Sequence, residues 1–389
     1  MDKVRYGVVG YGNMGKDDAK RIRDEVKDCE VAAICDTNPE RRAAAQKEFP
    51  NAKIFEKYGD MLAGDVIDAA YIATPHYFHP QMVEQALAAG KHALCEKPAG
   101  VYTRQVSDMY KKLPELTKNG KIFAMMFNQR PHPAHQKIKQ LITSGELGDI
   151  RRINWIITDW YRTQTYFNSG GWRATWKGEG GGVLINQCPH QLDLWQWLFG
   201  LPQRVRAFIG FGKYHDIEVD DDVTAYMEYP NGATGVFITT TGDAPGTNRL
   251  EITADRGKLV FEAGKLTFFR NTEKVSEHLK TCPQGFTKPE CWTCEIPTAQ
   301  GGFGHTEIHQ NFVNAILKGE KLIAQGTEGI NGLTLGNSML LSAWTDNWVN
   351  LPIDADLFYD KLQLAIKNSK STKDPSKSVV SDLAGSSNV

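Results

Sequence analysis

The sequence predicts an α/β protein with two different sheets, a parallel one in the N-terminal third of the chain and a mostly antiparallel one after it. In the first third, short apolar runs alternate with helical stretches, a pattern typical of parallel strands with helices on both faces. Further along, strand-like segments follow one another with turn signals between them, which predicts one large open antiparallel sheet. A glycine pattern directly after the first strand assigns the parallel sheet to the Rossmann, dinucleotide-binding type.

The N-terminal domain is predicted to cover residues 1–130. Its strands are expected at 6–9, 31–35, 69–73, 92–94 and 122–127, with helices between them that include 80–89 and 103–113. A C-terminal α/β domain is predicted over 131–365, with strands at 151–160, 204–210, 224–229, 234–240, 249–254 and 258–262. Its helices are expected at 134–144, 187–199, 305–318 and 329–349. Residues 366–389 are rich in Ser, Lys and Asp and are predicted to form a loose tail.

The first strand runs directly into the pattern Gly10-x-Gly12-x-x-Gly15. Gly10 allows a tight turn, Gly12 lets a pyrophosphate approach the backbone, and Gly15 lets the next helix lie close to the strand. That helix starts at Asn13 and Met14, where free N–H groups and a partial positive charge attract an anion. The alternative is a glycine-rich turn that binds nothing. The context of strand and helix favours a dinucleotide site that includes Gly10, Gly12, Asn13 and Met14.

The second strand ends on Asp36, about where an acidic side chain meets the adenosine ribose of a dinucleotide. A carboxylate there accepts hydrogen bonds from both ribose hydroxyls and repels a 2′-phosphate. Arg41 and Arg42 would neutralise such a phosphate, but they are expected to be solvated charges at the start of the next helix. The sequence therefore favours NAD over NADP.

The bulk composition excludes several classes of function. The formal net charge is −1, and no basic stripe suggests a nucleic-acid partner. No run of 18 apolar residues is present, so no membrane span is expected. The first strand begins so close to Met1 that no signal peptide is predicted, and the seven cysteines, an odd number, argue against a disulfide framework. A cytoplasmic protein is expected.

The pattern Cys291-x-x-Cys294 needs separate treatment. With His305 and His309, or with Cys282, it has the spacing of a zinc site. However, the two histidines are expected in a helix of the main fold, and a domain of this size has no need of a metal to hold it together. A redox pair lacks the surrounding thioredoxin-like pattern. A loop with free thiols and no metal is the favoured interpretation.

Four further clusters carry the residue types of an active site. They lie at residues 73–79 (Ala-Thr-Pro-His-Tyr-Phe-His), 95–98 (Cys-Glu-Lys-Pro), 128–130 (Asn-Gln-Arg) and 180–193 (Gly-Gly-Gly-Val-Leu-Ile-Asn-Gln-Cys-Pro-His-Gln-Leu-Asp). The first three follow strands of the parallel sheet, at the edge where such sheets bind dinucleotides and substrates. In the fourth cluster, Asn186 and His190 are spaced one helical turn apart.

These four clusters, in this order, resemble the Gfo/Idh/MocA family of sugar and inositol oxidoreductases, and the resemblance extends from Val4 to about Leu364. It implies an N-terminal Rossmann domain and a C-terminal α/β domain with a large, mostly antiparallel sheet. It also implies NAD(P)-dependent oxidation of a secondary alcohol on a sugar, glycoside or polyol. Members are usually homodimers or homotetramers built through the open sheet.

The resemblance identifies Lys97 and His190 as the catalytic pair, against the alternatives of a surface lysine and a core histidine. Oxidation removes a hydride and a hydroxyl proton, so the protein must supply position and a base. His190 is expected to be the base, with Lys97 hydrogen-bonded to the same oxygen. Because burial lowers a lysine pKa, Lys97 could share or assume that role.

One position departs from the family pattern. Many members have aspartate four residues before the histidine, where this chain has Asn186. An amide cannot take up a proton, but it can bind a substrate hydroxyl as donor or acceptor. Asp193 is expected to be structural and not a replacement for the missing carboxylate.

Other positions match residues that line the cofactor or substrate in the family. The expected cofactor-lining residues are Thr74, Pro75, His79, Glu96, Lys97, Asn128, Trp172 and Arg173. For His79, a plain role at a helix start is an equal alternative. Trp160, Tyr161 and Trp176 belong to an aromatic stretch that would form a carbohydrate-binding wall, with ordinary core packing as the alternative.

Three functions follow from these observations. The leading hypothesis is an NAD-dependent dehydrogenase for a sugar, glycoside or inositol. A second is a glycosidase that retains NAD and acts by oxidation, elimination and reduction. A third is a non-catalytic, dinucleotide-sensing regulator, which Lys97 and His190 argue against because a sensor needs no proton-transfer pair.

Overall fold

The predicted parallel sheet is present at the start of the chain. The structure, a computed structural model, describes residues 2–299 and 304–373. Six strands form the first sheet: β1 (Val4–Val9), β2 (Cys29–Cys35), β3 (Lys53–Phe55), β4 (Ala69–Ile72), β5 (His92–Cys95) and β6 (Phe123–Met125). All neighbours are parallel, in the order β3-β2-β1-β4-β5-β6. This is the Rossmann strand order, which reverses between β1 and β4 and so opens a crevice for a ligand there.

Helices connect these strands. They are α1 (Asn13–Asp24), α2 (Pro39–Glu48), α3 (Tyr58–Ala63), α4 (His79–Ala88) and α5 (Thr103–Leu116). Strands β1, β4 and β5 are apolar and almost entirely buried, as expected for a sheet covered on both faces. The predicted boundary at residue 130 falls between β6 and the next helix, α6 (Pro133–Thr143), and remains a prediction.

A second sheet of nine strands forms most of the C-terminal region. Its strands are β7 (Ile150–Ile157), β8 (Arg204–Phe211), β9 (Asp220–Glu228), β10 (Thr234–Thr240), β11 (Asn248–Ala254), β12 (Gly257–Glu262), β13 (Lys265–Asn271), β14 (Cys291–Ile296) and β15 (Val349–Asn350). Their order is β14-β13-β12-β11-β7-β10-β9-β8-β15, and β7–β10 is the one parallel pair among them. The predicted fold class, an α/β protein with a Rossmann domain and a large, mostly antiparallel sheet, is therefore confirmed.

The helices of this region pack on that sheet or return to the first one. They are α7 (Gln164–Asn168), α8 (Pro189–Phe199), α9 (Val275–Thr281), α10 (His305–Lys318), α11 (Gly329–Thr345) and α12 (Ala355–Lys367). Helix α8 starts with Pro189 in its first turn and ends at Gly200, whose φ of 76° suits glycine. Across residues 2–299 and 304–373, no helix is both long and apolar enough to cross a membrane.

Some predicted elements differ from the structure. The segment with Cys291 and Cys294 is not a loop but the edge strand β14, which pairs with β13. The helix predicted to continue to 349 ends at Thr345, because Asp346 adopts a left-handed conformation and the chain turns into β15. The predicted tail is not loose at its start, since α12 continues to Lys367 and Lys373 donates a hydrogen bond to the Phe167 carbonyl at 2.8 Å. Residues 374–389 lie outside the described residues.

Helix α10 brings the C-terminal region back onto the Rossmann sheet. Phe312 and His309 are fully buried on its inner face. The His309 ring packs edge-on against Tyr6 of β1 and Tyr71 of β4, with centroid distances of 5.7 and 4.9 Å. The first sheet is therefore covered on this side by a helix from the far end of the chain.

A buried ion pair joins the last Rossmann strand to helix α8. Arg130 lies just beyond β6, and its Nε and Nη2 donate to the two carboxylate oxygens of Asp193 at 2.8 and 2.6 Å. Its Nη1 also bonds to Glu328, which precedes α11. Both partners of the main pair are 1% exposed. Asp193 is thus structural, as expected, because both its carboxylate oxygens accept hydrogen bonds from Arg130.

We expect Asp193→Asn to lower the free energy of unfolding by about 3–5 kcal/mol, because it removes a charge partner from a buried guanidinium. Asp108→Asn is the matched control, since Asp108 pairs with Lys111 on the exposed face of α5 and should cost less than about 1 kcal/mol. Urea denaturation followed by circular dichroism measures both. Equal losses in the two variants would contradict the role given to the Arg130 pair.

Candidate active site

The glycine turn has the geometry that its spacing predicts. Gly10 has a φ of 88°, and a Cβ there would lie 2.5 Å from the Ala73 carbonyl oxygen. A Cβ on Gly15 would overlap the carbonyl oxygen of Gly10, so α1 can approach the strand only through glycine. A Cβ built on Gly12 would have Arg41 Nη1 as its nearest neighbour, 3.8 Å away, so the backbone is open on its outer side. The turn therefore offers an open backbone surface at the N-terminus of α1, where a pyrophosphate fits.

Asp36 lies directly after β2, beside this turn. Its Oδ2 accepts a hydrogen bond from the Tyr11 N–H at 2.7 Å, and its Oδ1 accepts one from the Asn38 N–H at 2.8 Å. A carboxylate has about four lone-pair positions, so two remain for ligand hydroxyls. The backbone bonds hold the carboxylate in the place where a ribose contact is expected.

The two arginines after Asp36 differ in their surroundings. Arg42 donates to the backbone carbonyl of Asp36 and pairs with Glu56 at the surface. Arg41 is not a plain surface charge, which corrects the expectation, because its Nη1 lies 3.6 Å from the Asp36 carboxylate and 3.8 Å from a Cβ built on Gly12. Arg41 therefore borders the same pocket as the glycine turn and Asp36.

His79 ties two loops of the sheet edge together. Its Nδ1 lies 2.7 Å from the Pro98 carbonyl oxygen, and its Nε2 lies 2.7 Å from the Thr74 carbonyl oxygen. The residue is fully buried, and this burial lowers the pKa of His79. The expectation that His79 contacts the cofactor is corrected, because both ring nitrogens face the backbone. It instead positions Thr74 and Pro75 on one side and the Lys97-Pro98 segment on the other.

Lys97 projects from the end of β5 toward the C-terminal domain. Its Nζ donates to the backbone carbonyl of Asn186 at 2.8 Å. Burial lowers the pKa of Lys97, and the carboxylates of Glu96 and Glu179 oppose this. A lysine from the Rossmann edge thus meets the turn that leads into α8 and His190.

His190 lies in the first turn of α8, four residues after Asn186. Burial and the positive charge of Lys97 lower the pKa of His190 well below its ordinary value. The ring is therefore neutral at neutral pH and can accept a proton. Its Nδ1 is buried and has no hydrogen-bond partner among the described residues.

Several other buried polar atoms around this cleft also lack a partner within residues 2–299 and 304–373. They are Asn128 Oδ1, Trp160 Nε1, Arg162 Nε, Arg173 Nε and Gln187 Oε1. Unpaired buried polar atoms are costly, so a cluster of them marks a place where ligand groups complete the hydrogen bonds. Together with the open glycine turn, these donors and acceptors fit a dinucleotide and a polar substrate.

The aromatic stretch divides into two sets. Trp172 packs edge-on against His76, and the Arg173 guanidinium lies over the Tyr166 ring at 4.3 Å. Trp160 is half-buried and Tyr161 is exposed, so both are open to a ligand. The predicted roles of Trp160, Tyr161, Trp172 and Arg173 at the cofactor or substrate remain predictions.

The predicted substrate-binding role of Trp176 is wrong. It is only 6% exposed, and its ring packs against Phe211 and Trp344 with centroid distances of 5.8 and 5.3 Å. It belongs to the core between the second sheet and α11, so it cannot form part of a carbohydrate-binding wall. The run of aromatic residues in the sequence carries no information about which rings face inward.

Sequence analysis did not identify Glu179, which the structure places against Asn186. The Asn186 amide Nδ2 donates to Glu179 Oε1, and the Ala174 N–H donates to Oε2 at 2.5 Å. Arg173 Nη1 lies 4.0 Å from the same carboxylate. A glutamate in the middle of the run Gly178-Glu179-Gly180 was the available signal, since a charge has no obvious place in a buried glycine turn.

Glu96, the neighbour of Lys97, belongs to a buried network below the glycine turn. Its Oε1 accepts from the Tyr71 hydroxyl at 2.7 Å, and that hydroxyl also bonds to Asp18 of α1. The imidazole of His305 in α10 lies 3.0 Å from the Asp18 carboxylate and 3.9 Å from that of Glu96. Asp18, Glu96 and His305 are the one group in the described chain with the spacing of metal ligands. Because their oxygens already accept hydrogen bonds, we interpret them as a hydrogen-bonded network.

The structure does not bring the cysteine pair and the histidines together into a ligand group. Cys291 and Cys294 are three residues apart on β14, so their side chains point to opposite faces of the strand. His305 and His309 face Asp18 on the Rossmann side. The described candidate metal ligands include no cysteine.

Comparison with known families identifies both halves of the chain. Residues 4–127 match the family described as "Oxidoreductase family, NAD-binding Rossmann fold". Residues 135–260 match the family described as "GFO/IDH/MocA C-terminal domain". The two matches together cover more than half of the chain.

Individual relatives are dehydrogenases. Trans-1,2-dihydrobenzene-1,2-diol dehydrogenase of Bos taurus is 28% identical over 257 residues, which are 65% of this chain and 72% of that protein. Levoglucosan dehydrogenase of Pseudarthrobacter phenanthrenivorans is 25% identical over 355 residues, 82% of this chain and 89% of that protein. The WlbA dehydrogenase of Bordetella pertussis, solved with NADH and UDP-GlcNAcA, is similar with a TM-score of 0.77 at 26% identity, covering 90% of this chain and 100% of that one.

We expect Asp36→Ala to weaken NAD binding by about ten-fold, the effect of losing one or two charge-assisted hydrogen bonds. NADP binding should weaken less, because the substitution also removes repulsion of the 2′-phosphate. Titration calorimetry with both dinucleotides measures the two effects. Glu40→Ala, which removes an exposed charge of the same sign from α2, is the control. Equal losses for NAD and NADP would remove the ribose contact from the site.

The Asp18–His305 pair should make stability depend on pH. Burial opposes both charges, but each partner favours the other's charged form, so the pKa of His305 is raised and that of Asp18 is lowered. The contribution of His305 is complete below its ordinary pKa of 6.5 and is lost as pH rises through the raised value. The contribution of Asp18 is complete above its ordinary pKa of 3.8.

His305→Gln should therefore cost about 1–3 kcal/mol of unfolding free energy near pH 5.5 and clearly less near pH 9. Urea denaturation at the two pH values measures the difference. His278→Gln, at the surface pair with Glu273, is the matched control and should cost little at either pH. A loss for His305→Gln that is the same at pH 5.5 and pH 9 would rule out the charged pair.

Proposed function

We propose, for a chain that belongs to the Gfo/Idh/MocA family of NAD-binding oxidoreductases, that its reaction is the oxidation of a secondary hydroxyl on a sugar, glycoside or inositol. The observation that carries this proposal is the hydrogen bond from Lys97 Nζ to the Asn186 carbonyl, 2.8 Å long. It holds a lysine from the Rossmann edge against the turn that leads into His190. A proton-transfer pair at the dinucleotide-binding edge is what dehydrogenation of an alcohol requires.

The two residues have different tasks in the proposed reaction. NAD, when bound, supplies the acceptor for the hydride. His190, neutral because of its burial and the nearby Lys97 charge, takes the hydroxyl proton. Lys97 donates a hydrogen bond to the same oxygen and stabilises the negative charge that develops there. Since burial also lowers the pKa of Lys97, the lysine can share the proton with His190.

The remaining residues hold the two ligands. For NAD they are Gly10, Gly12, Asn13, Met14, Asp36, Thr74, Pro75, Glu96, Lys97, Asn128, Trp172 and Arg173. For the substrate they are Asn186, Trp160 and Tyr161, with the rings offering flat faces to the C–H groups of a sugar. The named relatives act on a diol and on levoglucosan, which supports a polyhydroxylated substrate.

The alternatives have less support. The relatives are dehydrogenases, which favours net oxidation over an NAD-retaining hydrolysis. A sensor without catalysis would not need the buried pair of Lys97 and His190.

We also infer a cytoplasmic homodimer or homotetramer without nucleic-acid or membrane partners. Phe208 on β8 is 62% exposed, and Phe211 and Tyr226 are also exposed on the second sheet. Exposed aromatic side chains on an open sheet are typical of a surface that pairs with another subunit. The seven cysteines are free thiols, which is typical of a reducing compartment.

Lys97→Ala and His190→Ala should each lower the turnover number by a factor of about 10²–10⁴, the usual contribution of a positioned acid or base. NAD affinity should fall far less than turnover, because Lys97 is one of many residues that hold NAD and neither variant alters the glycine turn or Asp36. The increase of nicotinamide absorbance with a panel of sugars, glycosides and inositols gives the rate, and calorimetry gives the affinity. Lys111→Ala, on the exposed face of α5, is the control.

Three outcomes would contradict the proposal. Unchanged turnover in Lys97→Ala would contradict the proposed site. No NAD reduction by the unmodified protein with any compound of the panel would contradict the dehydrogenase activity. Release of an aglycone from a glycoside without net NAD reduction would instead support the retained-cofactor hydrolase.

A further inference from the structure

The site contains a buried carboxylate, that of Glu179, which the resemblance to the family did not identify. Glu179 is 1% exposed and lies on the glycine-rich turn before Asn186. Asn186 occupies the position where many members of the family have aspartate. The two side chains are hydrogen-bonded to each other, Nδ2 of Asn186 to Oε1 of Glu179. A carboxylate is thus present next to the position that lacks one.

The carboxylate fixes which way the Asn186 amide points. Burial raises the pKa of Glu179, while Arg173, the Ala174 N–H and the Asn186 amide favour its charged form. Because a charged carboxylate only accepts hydrogen bonds, the Asn186 NH₂ group is the one that faces Glu179. The amide oxygen then faces away from Glu179 and is left to accept a hydrogen bond. Glu179 itself is held by the Ala174 N–H at 2.5 Å, with Arg173 4.0 Å away. The orientation of Asn186 is therefore set by a rigid partner and not by solvent.

The same residue pair is connected to Lys97. The backbone carbonyl of Asn186 accepts the Lys97 Nζ hydrogen bond at 2.8 Å, and the side chain of Asn186 is bonded to Glu179. Any change that releases the Asn186 side chain therefore acts on the turn that holds the lysine. The negative charge of Glu179 also favours the charged form of Lys97 and raises its pKa against the effect of burial.

We propose that Glu179 is a positioning residue of this site. It takes over the negative charge that position 186 lacks, and through Asn186 it presents an amide oxygen to a hydroxyl of the substrate. The role of the amide oxygen rests on the proposed function. An amide oxygen placed in this way favours substrates that carry a second hydroxyl beside the one that is oxidised. A vicinal diol, as in a sugar or inositol, has that arrangement, and a simple secondary alcohol does not.

The charged and titratable groups that surround Lys97 come from several elements. They are Glu96, Glu179, Arg162, Arg173, His76, His79, Cys188 and His190. The two carboxylates raise the pKa of Lys97, whereas the two arginines lower it. Removing Glu179 should therefore move the titration of Lys97 to lower pH.

The role of Glu179 can be tested with variants that exchange the carboxylate and the amide groups of positions 179 and 186. In Glu179→Gln, the amide oxygen accepts from the Ala174 N–H, and the Asn186 amide must turn its oxygen toward the introduced NH₂ group to keep the second bond. The charge is then lost, and the Asn186 oxygen no longer faces away from residue 179. In Asn186→Asp, two carboxylates face each other. In the double variant, the introduced glutamine can accept from the Ala174 N–H and donate to the introduced aspartate, which restores both hydrogen bonds and the charge. Glu218→Gln is the control, because Glu218 accepts from the Trp176 N–H nearby but does not contact Asn186.

Two measurements separate this role from plain structural support. The first needs no substrate: acetic anhydride labels the neutral amine of Lys97, and mass spectrometry gives its labelling rate against pH. Glu179→Gln should shift the midpoint to lower pH, the double variant should return it toward that of the unmodified protein, and Glu218→Gln should leave it unchanged. The second is turnover with the active polyol, which each single variant should lower by about ten-fold or more and the double variant should recover at least in part.

The outcomes are distinguishable. An unshifted labelling midpoint in Glu179→Gln, or a double variant no better than the single ones, would overturn the role of Glu179. Inactivity of the unmodified protein on every polyol would instead overturn the proposed function, while the labelling result would still decide the charge role of Glu179. Oxidation of cyclohexanol as fast as of a vicinal diol would overturn the presentation of the amide oxygen.

Discussion

The hydrogen bond from Lys97 to the backbone carbonyl of Asn186 is the constraint on which the candidate site depends. Lys97 belongs to the edge of the parallel sheet, and Asn186 belongs to the turn before α8 in the other domain. Neither domain alone contains both residues of the proposed proton-transfer pair, Lys97 and His190. The relative placement of the two sheets therefore decides whether the proposed chemistry is possible. The buried pair of Arg130, after β6, and Asp193, on α8, helps to fix that placement.

The turn at Asn186 is held in shape by glycines and a buried aspartate. A Cβ on Gly182 would overlap the Asp220 carbonyl oxygen, so only glycine lets the turn lie against β9. The Asp220 carboxylate accepts the N–H groups of Gly182 and Leu184 at 2.7 and 2.8 Å. Burial raises the pKa of Asp220 to about 7, although both N–H groups favour its charged form. Close packing at Gly182 and hydrogen bonds from backbone N–H groups to Asp220 therefore fix the position of the turn that contains Asn186.

Features encoded locally were predicted well from the sequence. The glycine turn, Asp36 and the alternation of strands and helices depend on residues near each other in the chain, and the fold class was confirmed. Features that depend on distant partners were not. His305 meets Asp18 across 287 positions, and no local pattern announces that contact. Glu179 was missed because glycines around it suggested only close packing, and Trp176 was misassigned because aromatic residues look alike whether they face the core or a ligand. The direction of a side chain is a property of packing, and spacing alone does not give it.

The return of α10 to the Rossmann sheet has a consequence for how the chain can be divided. The helix covers Tyr6 and Tyr71 and supplies His305, which faces the Asp18 carboxylate together with Arg21 of α1. A fragment that ended near residue 130 would expose these rings to water and leave a buried carboxylate without its imidazolium. The parallel sheet is thus continuous in sequence, but part of its covering layer comes from the other end of the chain. The helix that covers Tyr6 and Tyr71 is made more than 170 positions after residue 130, so this face of the sheet is covered only late in synthesis.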